Sequence, residues 1–298
     1  MIEVTNLTKK YGDHLAVDHL SFKVEKGQIY GFLGPNGAGK STTMNIMTGY
    51  LAATSGTVLI NGHDIVKEPE AAKKCIGYLP ELPPVYVDMT VREYLQFVAE
   101  LKKVPKKERE DQILKVMAMT DILDMEKRLI KNLSKGYRQR VGLAQAILGF
   151  PQVIILDEPM VGLDPKQIIE IRDLIRELGE NHTVILSSHI LSEISAVCDH
   201  IMIISNGKLV ASDSPEGLQK LMGDDKKLQM VIKGNAEDLE KIAAKIAELE
   251  GVEVTFEMMH SQRTLEDIFL ELTDEEISAE DTVSETVVAE EEQKEAES

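Results

Sequence analysis

The order of apolar and polar positions divides the chain into stretches of different period. Near the start, Ile2 and Val4 alternate with polar neighbours, as do Leu20, Phe22 and Val24. A period of two is that of a half-buried strand. The run QIYGFLG (28–34) is short, apolar and closed by glycine, which predicts a buried strand feeding a turn. Thr42 to Leu51 then reads as a helix, and the rest of residues 1–75 as strands and turns. From 90 to 148 the period becomes helical. Thr90 and Glu93 form a capping-box pattern ahead of Tyr94, Leu95, Phe97 and Val98, and a second helix is predicted over 106–119. After Pro151 come a buried strand, VIIL (153–156), and a helix face of Ile168, Ile171, Leu174, Ile175 and Leu178. The strands TVILSS (183–188) and HIMIIS (200–205) follow. Short apolar strands alternating with helices predict an α/β fold with a largely parallel sheet.

The pattern changes again after Gly223. KLQMVIKG and VEVTF read as strands, and two helix faces follow the same stretch: Leu239, Ile242, Ala243 and Ile246, then Leu265, Ile268, Phe269 and Leu272. Three regions are therefore expected: a main domain over 1–222 with a helical part at about 82–150, a small α+β unit over 223–273, and a tail over 274–298.

Composition narrows the class. Of 298 residues, 43% are hydrophobic and 28% charged, the balance of an ordinary globular protein. No run of about 18 apolar residues predicts a transmembrane helix, and MIEVTNLTKKYG lacks the apolar core of a secretory signal. Two cysteines, Cys75 and Cys198, imply no disulfide framework and suit a reducing cytoplasm. The formal net charge is −18, and residues 274–298 hold eleven acids and one lysine. Such a balance repels phosphate backbones, so nucleic acid is not an expected partner. The tail reads as a solvated, disordered extension.

Candidate chemistry begins at GPNGAGKS, Gly34 to Ser41, which matches G-x-x-x-x-G-K-[ST] between a predicted strand and a predicted helix. Gly34, Gly37 and Gly39 let the backbone curl so that successive N–H groups face inward and hold a triphosphate at the helix start. Lys40 would reach the β- and γ-phosphates, and the Ser41 hydroxyl would ligate Mg²⁺. VIILDEP ends a buried strand in Asp157, placed to act as an outer ligand of Mg²⁺, and Glu158, placed to polarise a water. These features define a P-loop nucleotide hydrolase and leave several families open. LSKGYRQRV, Leu133 to Val141, narrows the choice, because Ser134 reads as the N-cap of a second helix start suited to an anion.

With these motifs in this order, residues 1–220 resemble the ATPase subunit of an ABC transporter. GPNGAGKS looks like Walker A, LSKGYRQ like the signature, VIILDE like Walker B and GLDP (162–165) like the D-loop. His189 of SSH looks like the switch histidine, and Tyr11 sits where the family places an aromatic that stacks on adenine. YLPE with DMTVREYL, and TLEDIFLELT (264–273), are similar to export-type members of the multidrug, antibiotic, sodium-ion and gliding-motility kind. The implied architecture is a parallel core sheet with helices, an N-terminal antiparallel β-subdomain, an inserted helical subdomain and a small C-terminal accessory unit.

The resemblance also implies roles. ATP would be held by Tyr11, Gly34, Pro35, Asn36, Gly37, Ala38, Gly39, Lys40, Ser41 and Thr42. Two copies would close head to tail, so that Leu133, Ser134, Lys135, Gly136, Tyr137, Arg138 and Gln139 of one meet the ATP of the other. Catalysis would fall to Glu158 as general base, with His189 and Lys40, while Gly162, Leu163 and Asp164 communicate across the dimer. Ser41, Asp157 and Glu81 would lie at Mg²⁺, with Glu81 standing where most of the family has glutamine. A carboxylate remains a hard oxygen donor. The implied partners are ATP, a second copy of the chain and a separately encoded integral membrane permease. The implied location is the cytoplasmic face of the cell membrane, and the implied activity is ATP hydrolysis driving export. A soluble ABC ATPase serving a macromolecular assembly, such as iron–sulfur assembly, is the competing reading. The single Walker A motif and the absence of sustained heptads count against translation and DNA-repair types.

Overall fold

The computed structural model describes residues 1–221 together with Lys241 and Lys245. The chain divides into two units, Met1–Asp225 and Lys226–Ser298. The strands and helices expected over 227–272, and the acidic tail, lie outside the described residues.

Two sheets form the first unit. The smaller is antiparallel, with strand order β2-β1-β4-β5: β1 is Ile2–Tyr11, β2 His14–Val24, β4 Ser55–Ile60 and β5 His63–Asp64. Its first hairpin closes through Gly12 and Asp13 and pairs Tyr11 with His14. A register shift beside Asn6, whose φ is +47°, interrupts the alternation begun by Ile2 and Val4, so that Leu7 also turns inward.

The larger sheet has strand order β10-β9-β3-β8-β7-β6. Strands β3 (Ile29–Leu33), β6 (Ile76–Leu79), β7 (Val153–Leu156), β8 (Thr183–Ser188) and β9 (His200–Ser205) run parallel, and β10 (Lys208–Asp213) is the antiparallel edge. The continuous apolar runs follow from burial on both faces. Ile154 and Leu156 face one core with Val184 and Leu186. Val153 and Ile155 face the other with Ile185, Phe32, Met44 and Met47. Each strand thus divides its side chains between two layers.

Helices α3 (Val91–Leu101), α4 (Arg109–Met119) and α5 (Lys135–Ile147) supply the first layer. The capping box at Thr90 and Glu93 is present in full. The expected helix over 106–119 begins at Arg109, because Pro105 and Glu108 first form a turn. The helix expected over 42–51 is α1, Lys40–Met47. It starts earlier because Gly39, at φ +104°, releases the chain directly into helix. It ends earlier because Thr48 and the left-handed Gly49 stop it. Helix α2 (Pro69–Lys74) interrupts a region read as strands and turns, while α6 (Pro165–Gly179) follows its predicted face. The short helices α7 (Leu191–Ser195) and α8 (Pro215–Leu221) complete the described elements. Cys75 and Cys198 are both free thiols. Met44, Met47 and Met117 are fully buried, as core filling requires.

Candidate nucleotide site

Parallel strands carry their loops on a common edge, and ligands gather at the carboxyl ends. Here that edge presents, in spatial order, the loop after β3, His189 after β8, Asp157 and Glu158 after β7, and Glu81 after β6. Tyr11, Lys40, Ser41, Glu81, Glu158 and His189 all line one open cleft.

The loop after β3 curls through Gly37 and Gly39, both at positive φ, and Ala38 N–H donates to the Pro35 carbonyl at 3.2 Å. Pro35, Asn36 and Gly37 are exposed, Ala38 and Gly39 are buried, and Ser41 and Thr42 are half-buried. Lys40 turns back under the loop. Its Nζ donates to the carbonyls of Gly34 at 2.7 Å and Pro35 at 3.3 Å, and lies 3.4 Å from Glu158 Oε1. Lys40 and Glu158 are both more than 90% buried, so the ion pair is well desolvated.

Glu158 is held at three points. Oε1 faces Lys40, Oε2 lies 3.1 Å from His189 Nδ1, and its backbone N–H donates to Ser187 Oγ at 2.8 Å. Its φ is +48°, in the left-handed region that a side chain with a Cβ rarely adopts. Beside it, Asp157 Oδ1 accepts from Ser187 Oγ at 2.6 Å and from Ser41 Oγ at 3.2 Å. Burial pushes the Asp157 carboxyl above its ordinary range, and the Ser187 and Ser41 hydroxyls oppose that rise. Ser188 pins the backbone around His189. Its hydroxyl donates to the buried Glu193 at 2.6 Å and accepts from Ile190 N–H at 3.0 Å.

The second anion-ready feature is α5. Ser134 caps it, accepting from Tyr137 N–H at 3.4 Å. No acidic residue occupies its first turn, where Lys135 sits instead. A cation there works against the helix dipole but suits an approaching anion. Ser134, Lys135 and Arg138 are exposed and Tyr137 is half-buried. Leu133 and Gln139 instead turn inward: Leu133 joins the core, and Gln139 Nε2 donates to the Pro159 carbonyl at 3.2 Å. Gly136 is buried against Gln167, and Gly162 lies against Lys135. The exposed Asp164 caps α6 by accepting from Gln167 N–H at 2.9 Å, and Leu163 packs against the core.

His14 and Ala16 also line the cleft, as does Val161. His14 follows from the two-residue hairpin loop, which sets it opposite Tyr11. The roles of Ser187 and Gln139 rest on contacts 29 and 20 residues away along the chain, which no local pattern encodes.

A phosphate-cradling loop, a buried acidic strand end and an adjoining histidine on one parallel sheet define a P-loop nucleotide hydrolase. The separate capped helix and the antiparallel sheet narrow it further. The family described as "ABC transporter" matches residues 17–161. The bacitracin transport ATP-binding protein BcrA of Bacillus licheniformis is 41% identical over 222 residues, covering 74% of this chain and 72% of that protein. The lantibiotic transport ATP-binding protein SrtF of Streptococcus pyogenes is 34% identical, covering 74% and 94%. Among solved structures, an ATP-binding subunit of an ABC transporter superposes with a TM-score of 0.70 at 26% identity, covering 83% of this chain and all of that one. The cassette MJ1267 in its ADP conformation gives 0.66 at 28% identity, covering 76% and 96%. The chain belongs to the ATP-binding subunits of ABC transporters, and it is an ATPase.

Proposed function

We propose that two copies of this chain close head to tail around two ATP molecules and drive export through a separately encoded membrane permease. The carrying observation is the state of Glu158, whose carboxylate lies between Lys40 and His189 and whose peptide is fixed by Ser187. A buried carboxylate aimed at the cleft suits a general base on water attacking the γ-phosphate. His189, two-fifths exposed, reaches the same carboxylate from the cleft side and would hold the γ-phosphate and catalytic geometry. Lys40 would leave Glu158 for the β- and γ-phosphates, freeing the base as substrate arrives.

Mg²⁺ fits the donor set. Ser41 and Asp157 oxygens already meet at 3.2 Å, and Glu81 lines the same cleft. Among the described residues no cluster of three or more His, Cys, Asp or Glu forms a metal cage. Mg²⁺ commonly binds through one or two protein oxygens, with phosphates and water completing its shell. Held there, the ion would supply positive charge that offsets the charge of the phosphates. Adenine would stack on Tyr11, whose ring is about half exposed and has Lys9 Nζ 5.1 Å from its centroid. The exposed Ser134, Lys135 and Arg138, with the Gly136 backbone, would meet the ATP of the partner copy. Leu133 and Gln139 would set that segment from within, and the Gly162–Asp164 turn would link the two sites.

Export is supported by the names of the relatives, which transport bacitracin and a lantibiotic. No helix among the described residues is long and apolar enough to cross a membrane. A subunit powering transport therefore needs a membrane partner, on whose cytoplasmic face it would sit. Leu82, Tyr86 and Val87, all exposed and following Glu81, are suited to that contact. Tyr86 packs edge-on against Phe97 at 5.3 Å. Fractionation of cells carrying the tagged chain tests the transport reading. The chain is expected to sediment with membranes and to be released by detergent as a complex with a multi-span protein. Sedimentation with ribosomes, or as free dimer alone, would contradict it.

A further inference from the structure

We infer that Ser187 is a positioning residue for hydrolysis, acting through the peptide of Glu158. Its side chain is fully buried at the end of β8. Its Oγ accepts the Glu158 N–H at 2.8 Å, so its single proton is committed to Asp157 Oδ1, at 2.6 Å. Both bonds are short, and the low-dielectric surroundings strengthen them.

The arrangement has two consequences. First, Glu158 is held at φ +48°, a strained conformation that persists only where the surroundings over-determine it. The Ser187 hydroxyl is the acceptor that satisfies the peptide in that conformation. Without it, a buried N–H loses its partner and the strained turn is free to relax. The carboxylate would then swing away from His189 and the cleft. Second, Asp157 Oδ1 accepts from both Ser187 and Ser41. The same hydroxyl therefore ties the general base to the carboxylate nearest the phosphate loop. Serine or threonine can accept and donate in this way; alanine and valine can do neither.

This inference rests on Glu158 being the base, so Glu158→Gln is measured alongside. Ser187→Ala is expected to lower kcat by about tenfold to a hundredfold, the size of effect that a misplacement near 1 Å produces. KM for ATP should stay within about twofold, since the Ser187 hydroxyl bonds Glu158 and Asp157 and not the phosphate loop itself. The variant should also accumulate an ATP-bound dimer, as is expected of Glu158→Gln. Ser187→Thr should recover most of the turnover. Combining Ser187→Ala with Glu158→Gln should cost no more than Glu158→Gln alone. Wild-type kcat in Ser187→Ala would overturn the role. So would a parallel loss of kcat, ATP affinity and folded protein with no recovery in Ser187→Thr, which would make the residue merely structural. Normal turnover by Glu158→Gln would remove Glu158 as base, and the positioning role would fall with it.

Discussion

At the residue scale, the nucleotide site is an assembly of charges that gain nothing by being buried alone. Asp157 is the clearest case. Its carboxyl is raised by burial, so the folded protein binds its proton more tightly than the unfolded chain does. Stability therefore falls as pH rises from the ordinary carboxylate range through the raised one. Replacing the group with Asn removes that penalty while keeping an acceptor for Ser187. Asp157→Asn is expected to raise the Tm of the nucleotide-free protein, by about 2–4 °C for each kcal/mol relieved. The gain over wild type should grow from pH 4 towards neutrality, and Mg²⁺-stimulated turnover should be lost. Thermal melts across pH check it; a lower Tm at neutral pH would mean that Asp157 stabilises the free protein. Lys40, Asp157, Glu158 and His189 were legible in the sequence because each carries chemistry that few other residue types supply. Ser187 was not, because a serine at a strand end is ordinary until strand register brings it against Glu158. The sequence pattern places Gln139 in a contact across a dimer; the structure shows its Nε2 donating to the Pro159 carbonyl within the chain.

At the element scale, α5 matters most, since its N-terminus is the exposed anion-ready end and its body is clamped from below. Gly77 of β6 makes that clamp possible: a Cβ there would meet the backbone carbonyl of Ala146. Backbone cannot swing aside as a flexible side chain can. Gly77→Ala is therefore expected to cost about 1–3 kcal/mol in denaturant unfolding. Gly136→Ala meets only the movable amide of Gln167 and should cost less. Equal stability of the two variants would show that β6 and α5 are not in firm contact. Thr90→Ala should lose about 1 kcal/mol with the capping box. Long periodic elements such as α3 and α6 were readable from sequence. Helix α2 was not, because its six residues bury only Ala72 and leave no stripe. The sequence predicts helix past the end of α1, because the stop depends on Gly49 being left-handed, which composition does not reveal.

At the scale of the whole molecule, the sheet order explains why distant motifs form one site. Strands β3, β8, β7 and β6 lie side by side, so four loops meet although Lys40 and His189 are far apart in sequence. The α/β class was legible from alternating runs of apolar residues; the strand order was not, since all central strands are equally apolar. The acidic segment 274–298 carries most of the excess charge and no site residue. Its deletion is expected to leave turnover within about twofold of wild type, because none of the residues lining the cleft belongs to it and salt weakens the effect of its charges. A tenfold loss of activity would show that the segment touches the ATPase.

The account turns on Glu158 as the base within a closed pair of subunits, and Glu158→Gln tests this directly. With ATP and Mg²⁺, the variant is expected to bind nucleotide with wild-type affinity, to lose turnover by at least about a hundredfold, and to elute as a dimer that ATP alone sustains. Wild-type turnover by a monomer that never dimerises would contradict it.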